Sequence, residues 1–476
     1  MQESLLSVGI DIGTSTTQLI FSRLTIENRS GSYMVPRISI VDKEVVYRSK
    51  IYFTPLISQT EIDAEEVKRI IRGEYRAGKM QPEDLKTGAV IITGEAARKQ
   101  NAGSVLAVLS DMAGDFVVAT AGPDLESVLS AKGAGTDKLS KEKRELIANV
   151  DIGGGTSNIA LFEKGILKGV CCLDIGGRLI KVEQEHIQYI YPGIQKLAAA
   201  HGVSVRAGDP ADEQVLYRIC ELMADQLAMA LHICNTDVLH QTLYTNGGKP
   251  LSDTFVIRGV TYSGGVADCL NPEKSGDIFR YGDIGILLGR AIRSNLHLQK
   301  IKTYPAAETI RATVVGAGIH TTNVSGSTIS YANGKLPMKN IPVLKISVEE
   351  EQEPAGFREA IRSRLPLYET QGDLDAIAIA FSGDHHTGFR QIQELAQTVM
   401  EAAKPVIESV HPLILIIEND IAQVLGNALN LFLERKKDVI CIDGIYAQDG
   451  DYIDIGEPVA AGWVVPVVIK TLIFNT

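Results

Sequence analysis

An apolar run, Val8-Gly9-Ile10-Asp11-Ile12-Gly13, passes into the hydroxyl cluster Thr14-Ser15-Thr16-Thr17, and a second apolar run follows at Leu19-Ile20-Phe21. The pattern returns 140 residues later as Asn149-Val150-Asp151-Ile152-Gly153-Gly154-Gly155-Thr156-Ser157, followed by Ile159-Ala160-Leu161-Phe162. Each copy predicts two strands joined by a turn that begins at an Asp-Ile-Gly step, and a repeated unit sets the architecture of the whole chain.

Between the copies, Thr60 to Gly78 predicts a helix capped by Asp63, with Glu66 completing a capping box and Val67, Ile70 and Ile71 on one face. A buried strand (Ala89 to Thr93), a helix from about Glu95, a strand (Phe116 to Thr120), a turn at Gly122-Pro123 and a helix to about Lys132 follow. This order is that of an α/β unit with helices packed on a mixed sheet. Residues 178–250 read as a helical insertion, because Leu216, Ile219, Cys220, Met223, Leu227 and Leu231 keep a period near 3.6. Strand signals return at Thr254 to Ile257, the loop Ser263-Gly264-Gly265 leads to a short helix, and Ile284 to Arg293 predicts another. The predicted divisions are a first lobe over 1–148, a second over 149–300, and a separate C-terminal α/β region over 301–476. In that last region the apolar strands are Ala376 to Phe381, Pro412 to Ile417 and Val439 to Ile442.

Composition narrows the function. With 45% hydrophobic and 22% charged residues the chain has material for packed cores. A net charge of −11 and 6% aromatic residues supply neither the cationic surface nor the stacking platform that nucleic acid requires. The 6 cysteines form no CxxC pair or disulfide framework, which fits a reducing cytosol. Met1-Gln2-Glu3 does not open a signal peptide, and Gly462, Pro466 and Lys470 interrupt the most apolar stretch, so no membrane span is expected.

The duplicated turn carries the candidate chemistry. Gly13, Gly153, Gly154 and Gly155 let backbone N–H groups approach an anion, while Thr14, Ser15, Thr16, Thr156 and Ser157 add hydroxyl donors. Asp11 and Asp151 would repel a bare triphosphate, so the pattern makes sense with a cation between them. Mg²⁺ held through water is the natural choice. Two such turns facing each other would clamp one nucleotide, with Ser263, Gly264 and Gly265 accepting adenosine.

These segments resemble those of the actin, Hsp70 and sugar-kinase ATPases. The first turn is similar to their phosphate 1 loop, the second to phosphate 2, and Tyr262 to Val266 to the adenosine motif. Glu126 to Gly135 resembles the first connecting helix and Tyr281 to Gly289 the second. The resemblance implies a two-lobed actin-like ATPase, built on duplicated ribonuclease H-like domains, with Mg-ATP at the base of the cleft. It further implies that Asp11 holds the Mg²⁺ hydration shell, Asp151 orients water or metal near the γ-phosphate, and Glu126 reaches the attacking water.

The stretches Ala119 to Glu126, Thr309 to Gly318, Val324 to Ile329, Ile417 to Asp420, and Gly462-Trp463 through Thr471 to Phe474 extend the likeness from end to end. They resemble the ethanolamine ammonia-lyase reactivating factors. That family implies an ATP-dependent chaperone whose partner is ethanolamine ammonia-lyase, releasing damaged cobalamin so that adenosylcobalamin rebinds. The implied setting is the cytoplasm, with association to a bacterial microcompartment. The oligomeric state stays open, a homodimer included. Two other classes also stay open: a small-molecule kinase of the sugar or carboxylate type, for which no acceptor-site Asp stands out, and an actin-like nucleotide-dependent scaffold. Of the remaining features, His385-His386 reads as a solvated turn, Cys171-Cys172 as buried strand residues, and Glu349-Glu350-Glu351 as a solvated charged patch.

Overall fold

The computed structural model describes residues 2–28, 38–58, 61–93, 96, 101–102, 105, 108–109, 117–120, 123–270, 276–320, 322–326, 329–332, 334–370, 373–386 and 388–471. The helix expected from Glu95 lies largely outside this set. Phe116, Gly122, Ser327, Thr328 and residues 472–474 lie outside it altogether.

In the first lobe, β1 (Gln2–Ile12) and β2 (Thr16–Asn28) form an antiparallel hairpin with Ile12 opposite Thr17. β3 (Ile38–Arg48) and the short β4 (Tyr52–Phe53) both pair with β2. Next comes α1 (Ala64–Ala77), where the Asp63 carboxylate accepts from Glu66 N–H and Val67, Ile71, Glu74 and Tyr75 are buried. The helix starts four residues later than expected, and no capping box forms because the Glu66 carboxylate is taken by Arg69. β5 (Thr87–Ile92) lies parallel to β1, and β6 (Val117–Thr120) parallel to β5, giving the order β3-β2-β1-β5-β6.

After α2 (Pro123–Gly133) and α3 (Thr136–Lys143), the second lobe repeats the plan. β7 (Leu146–Ile152), β8 (Ser157–Glu163) and β9 (Ile166–Leu173) form an antiparallel meander with Ile152 opposite Ser157. The region expected to be helical opens instead with a two-stranded ribbon, β10 (Ile180–Glu183) and β11 (His186–Ile190). In β10 the residues alternate buried and exposed, a period of two that rules out a helix. Helices α4 (Pro192–Ala200) and α5 (Glu213–Ala230) follow, the latter burying the predicted apolar face. The strand expected at Thr254–Ile257 is not formed; Val256 faces solvent there, and the parallel edge of β7 is taken by β12 (Gly259–Ser263). With α6 (Gly285–Ser294) and β13 (Lys302–Thr303), the second sheet reads β9-β8-β7-β12-β13, the same order as the first. The sequence repeat is thus a repeat of topology.

The chain then returns to the first lobe. α7 (Ala312–His320) crosses α2 at backbone contact: a Cβ on Gly133 would lie 1.8 Å from the Ala312 carbonyl oxygen, and one on Gly316 2.0 Å from that of Leu129. α7 also lies on β1, where Ser7 Oγ donates to the Gly318 carbonyl at 2.7 Å. The second crossing helix is therefore α7 and not the Tyr281–Gly289 segment, which packs within its own lobe: a Cβ on Gly289 would meet Cys269 at 2.8 Å. The packing consequently changes lobe before residue 320 and not at 301.

The strands of the C-terminal sheet are β14 (Thr322–Val324), β15 (Met338–Lys345), β16 (Ala378–Phe381), β17 (Leu413–Ile417), β18 (Val439–Asp443), β19 (Asp451–Ile455) and β20 (Pro466–Thr471), in the order β14-β20-β19-β15-β16-β17-β18. β15 to β18 run parallel, linked by helices as expected. This sheet is not separate from the rest. Val468 is buried with Ala89, Ile91, Leu129 and Ala317, and Val459 and Val464 with Leu5, Leu24 and Ile26. Glu3 accepts from Ala460 N–H at 2.7 Å and Lys86 pairs with Glu457 at 3.2 Å, so the docking is onto the first lobe. Among the described residues no helix is long and apolar enough to cross a membrane.

Candidate functional site

Both hairpin turns are closed by the same bond. Gly13 N–H donates to the Thr16 carbonyl and Gly153 N–H to the Thr156 carbonyl, each at 2.9 Å. The turns face one another across the cleft so closely that a Cβ on Gly154 would lie 2.5 Å from Ser15 Oγ. Between them is a cavity of about 420 Å³ whose walls include Asp11, Gly13, Thr14, Ser15, Thr16, Glu126, Asp151, Gly153, Gly154, Gly155, Thr156, Gly264 and Gly265. The residues named from the sequence meet there except Ser157, whose buried Oγ donates to the Ile175 carbonyl at 2.8 Å, and Ser263.

Ser263 is fully buried behind the wall, and its Oγ donates to Asp151 Oδ1 at 2.5 Å. It supports the carboxylate and does not face a ligand. Asn149 Nδ2 donates to Ser263 Oγ at 2.9 Å, and Thr261 Oγ1 donates to Asn149 Oδ1 at 2.9 Å. Asp11 is held similarly by Thr93 Oγ1 at 2.9 Å, while Thr54 Oγ1 fixes the turn by donating to the Gly13 carbonyl at 2.7 Å. Gly264 carries φ +84°, and a Cβ there would meet the Ile152 carbonyl at 2.4 Å, so only glycine lets this loop lie against the second turn.

Burial pushes the Asp11 carboxyl up to about 7; the Thr93 hydrogen bond opposes this and the charge of Asp151 adds to it. Burial likewise pushes Asp151 up to about 6 against the Ser263 hydrogen bond. Two neighbouring, largely buried carboxylates are a poor home for two negative charges and a good one for a hard divalent cation. The donor set fits Mg²⁺ bound through water. Glu126 stands in the first turn of α2, where its charge suits the helix dipole, and also lines the cavity.

Several wall residues escape sequence reading. Thr93 follows β5 and reaches Asp11 only because β5 and β1 are parallel neighbours. Thr309 Oγ1 donates to Asp268 Oδ1 at 2.6 Å. The segment Asp174-Ile175-Gly176-Gly177-Arg178 lies under the second turn: Gly177 N–H donates to the Gly153 carbonyl at 3.0 Å and Arg178 N–H to that of Gly154 at 2.6 Å. Its signal was visible as a third Asp-Ile-Gly step.

The minor features fall elsewhere. Cys171 and Cys172 are buried on β9, and all six cysteines are free. His385 is exposed, but His386 is half-buried, with Nε2 3.7 Å from Glu351 Oε1. Glu351 is not solvated: it is buried and accepts from Ser382 N–H at 2.9 Å and Gly383 N–H at 2.7 Å, while Glu350 pairs with Arg364. Among the described residues no three His, Cys, Asp or Glu side chains are grouped to hold a metal.

The molecule is thus a two-lobed α/β protein in which one strand order occurs twice, with twin Asp-Ile-Gly turns at one cavity. The sequence profile described as ethanolamine utilisation protein EutA matches residues 3–475, and the chain belongs to that family. It is 38% identical over 477 residues to "Ethanolamine ammonia-lyase reactivase EutA" of Salmonella typhimurium (strain LT2), covering 99% of this chain and 98% of the relative. Identity to the protein of the same name in Escherichia coli (strain K12) is 37%, with 99% and 98% covered. A solved structure of the Aquifex aeolicus member of the Ppx/GppA family covers 66% of this chain and 97% of its own, at 14% identity and a TM-score of 0.39.

Proposed function

We propose that this protein reactivates ethanolamine ammonia-lyase, using Mg-ATP bound between the twin turns to release damaged cobalamin so that adenosylcobalamin rebinds. The observation that carries the nucleotide reading is the convergence of Asp11, Asp151 and both glycine turns on one cavity. The reactivating role is supported by the names of the two relatives that match the chain from end to end. Asp11 and Asp151 would hold the Mg²⁺ hydration shell. The turn N–H groups and the Thr14, Ser15, Thr16 and Thr156 hydroxyls would hold phosphate oxygens, and Glu126 would orient water. When bound, the cation offsets charge on the phosphates. Phosphoryl chemistry then needs mainly positioning from these residues. A larger cavity of about 770 Å³, lined by Glu213, Tyr217, Arg290 and Arg293, shares Cys269 with the first and offers room for the base and ribose.

The close helix crossing supports work on the partner as well. α2 and α7 join the lobes at backbone contact, so a ligand gripping both turns biases the angle between them. Moving such an equilibrium from 1:99 to 99:1 takes about 5.5 kcal/mol of differential affinity. The deciding experiment blocks ethanolamine ammonia-lyase with an inactive cobalamin, adds this protein, Mg-ATP and adenosylcobalamin, and follows turnover. Recovery above a nucleotide-free control is expected; recovery no greater than the control rejects the reading.

A further inference from the structure

Among the described residues lining the smaller cavity, Arg178 supplies the one cationic side chain, against the carboxylates of Asp11, Glu126, Asp151, Asp268 and Asp283. Its stem lies along the second turn: a Cβ on Gly154 would be 3.5 Å from both Cβ and Cδ of Arg178. The guanidinium has two partners from opposite sides of the cleft. Nε lies 3.4 Å from Asp283 Oδ2 in its own lobe, and the group sits 5.4 Å above the Phe53 ring of β4 in the first lobe. Asp283 has other support, since its Oδ1 accepts from Gly285 N–H at 2.9 Å at the start of α6. Arg178 can therefore leave Asp283 without stranding it. Phe53 is 69% exposed, so its ring is free to follow the guanidinium.

We propose that Arg178 distinguishes a nucleoside triphosphate from a diphosphate in this cleft. It exchanges its tie to Asp283 for the terminal phosphate and carries that change to the first lobe through Phe53. The inference rests on the nucleotide reading above. A terminal phosphate bears more charge than one carboxylate and offers oxygens spaced for the guanidinium fork, so it outcompetes Asp283 for the arginine. A diphosphate lacks the group that reaches beyond the turn. Asp283 is then a resting partner that competes with ligand, so removing it has the opposite sign from removing Arg178.

Calorimetric titration with Mg-ATP and Mg-ADP tests this on the full chain. Arg178→Gln is expected to weaken ATP about ten- to a hundredfold while changing ADP far less. Asp283→Asn is expected to leave ATP binding equal to or tighter than wild type. The wild type is expected to change its radius of gyration in small-angle scattering on binding Mg-ATP, and Phe53→Ala to keep ATP preference but lose that change. Should Arg178→Gln fail to fold, Arg178→Lys, which keeps charge without the planar fork, is expected to lose part of the ATP-over-ADP preference. Equal weakening of ATP and ADP in the arginine variant, or weaker ATP binding in Asp283→Asn, overturns the inference and marks the pair as a structural strut. Absence of heat from the wild type with either nucleotide overturns the site reading, and this inference with it.

Discussion

Asparagine at position 11 or 151 keeps the outline of the carboxylate and removes its charge from a buried setting. Asp11→Asn and Asp151→Asn are each expected to melt at or above the wild-type temperature in Mg-free buffer, yet to lose ATP-dependent reactivation; full activity in both would remove these residues from the site. His240 gives a different test. It is buried, with Nδ1 2.8 Å from Gln226 Oε1 and Nε2 3.1 Å from the Tyr244 hydroxyl, and it faces Asp237 and His232. Burial lowers its pKa, so the unfolded chain takes up the proton more readily. The stability it contributes is present above its ordinary value of 6.5 and is lost as the pH falls toward the lowered value. Denaturant midpoints for His240→Gln should fall less steeply than wild type as the pH drops below about 6.5; parallel slopes would show that His240 does not titrate here. At this scale the contiguous motif residues were legible because a turn keeps neighbours in sequence near in space. Thr93 was not, since only the parallel pairing of β5 with β1 brings it to the cavity, and the third Asp-Ile-Gly step before Arg178, though visible, does not tell that Arg178 and Asp283 meet there. Glu351 was misread because a run of three acids looks solvated, and nothing local reveals the two N–H groups that receive its last member.

Glycines mark how closely elements meet. Gly133→Ala or Gly316→Ala would force α2 and α7 apart, and each is expected to lower stability by about 2–4 kcal/mol, the range of overpacking in a close contact and above. Gly73, on α1, has nothing within 4 Å of its added Cβ, so Gly73→Ala is expected to raise stability by roughly 0.5–1 kcal/mol. Chemical denaturation of the three variants checks both signs together. Alternation and period made most strands and α5 readable. The resemblance placed the second connecting helix on α6, whose glycines announce a close neighbour without saying which one: for α7 it is α2, for α6 the loop after β12.

Taken as a whole, the C-terminal sheet rides on the first lobe through Val468 and the Val459–Val464 turn. A chain ending at residue 321 would bare the apolar surface of Ala89, Ile91, Leu129 and Ala317. It is expected to elute as aggregate in size-exclusion chromatography and the full chain as a dispersed species; a well-behaved truncated species would mean the docking is dispensable. The sequence showed two related halves and a further α/β region. It could not show where that region is attached, because attachment is written in apolar residues that look like any other core.

The twin turns share register and closing bond, but they are not interchangeable. Ser15 fills the space that a side chain at 154 would need, so the first turn carries hydroxyls at 14 and 15 where the second has only peptide at 154 and 155. The likeness of the two turns is broken where a guest sits, and a guest with unlike ends has a single heading in which to lie.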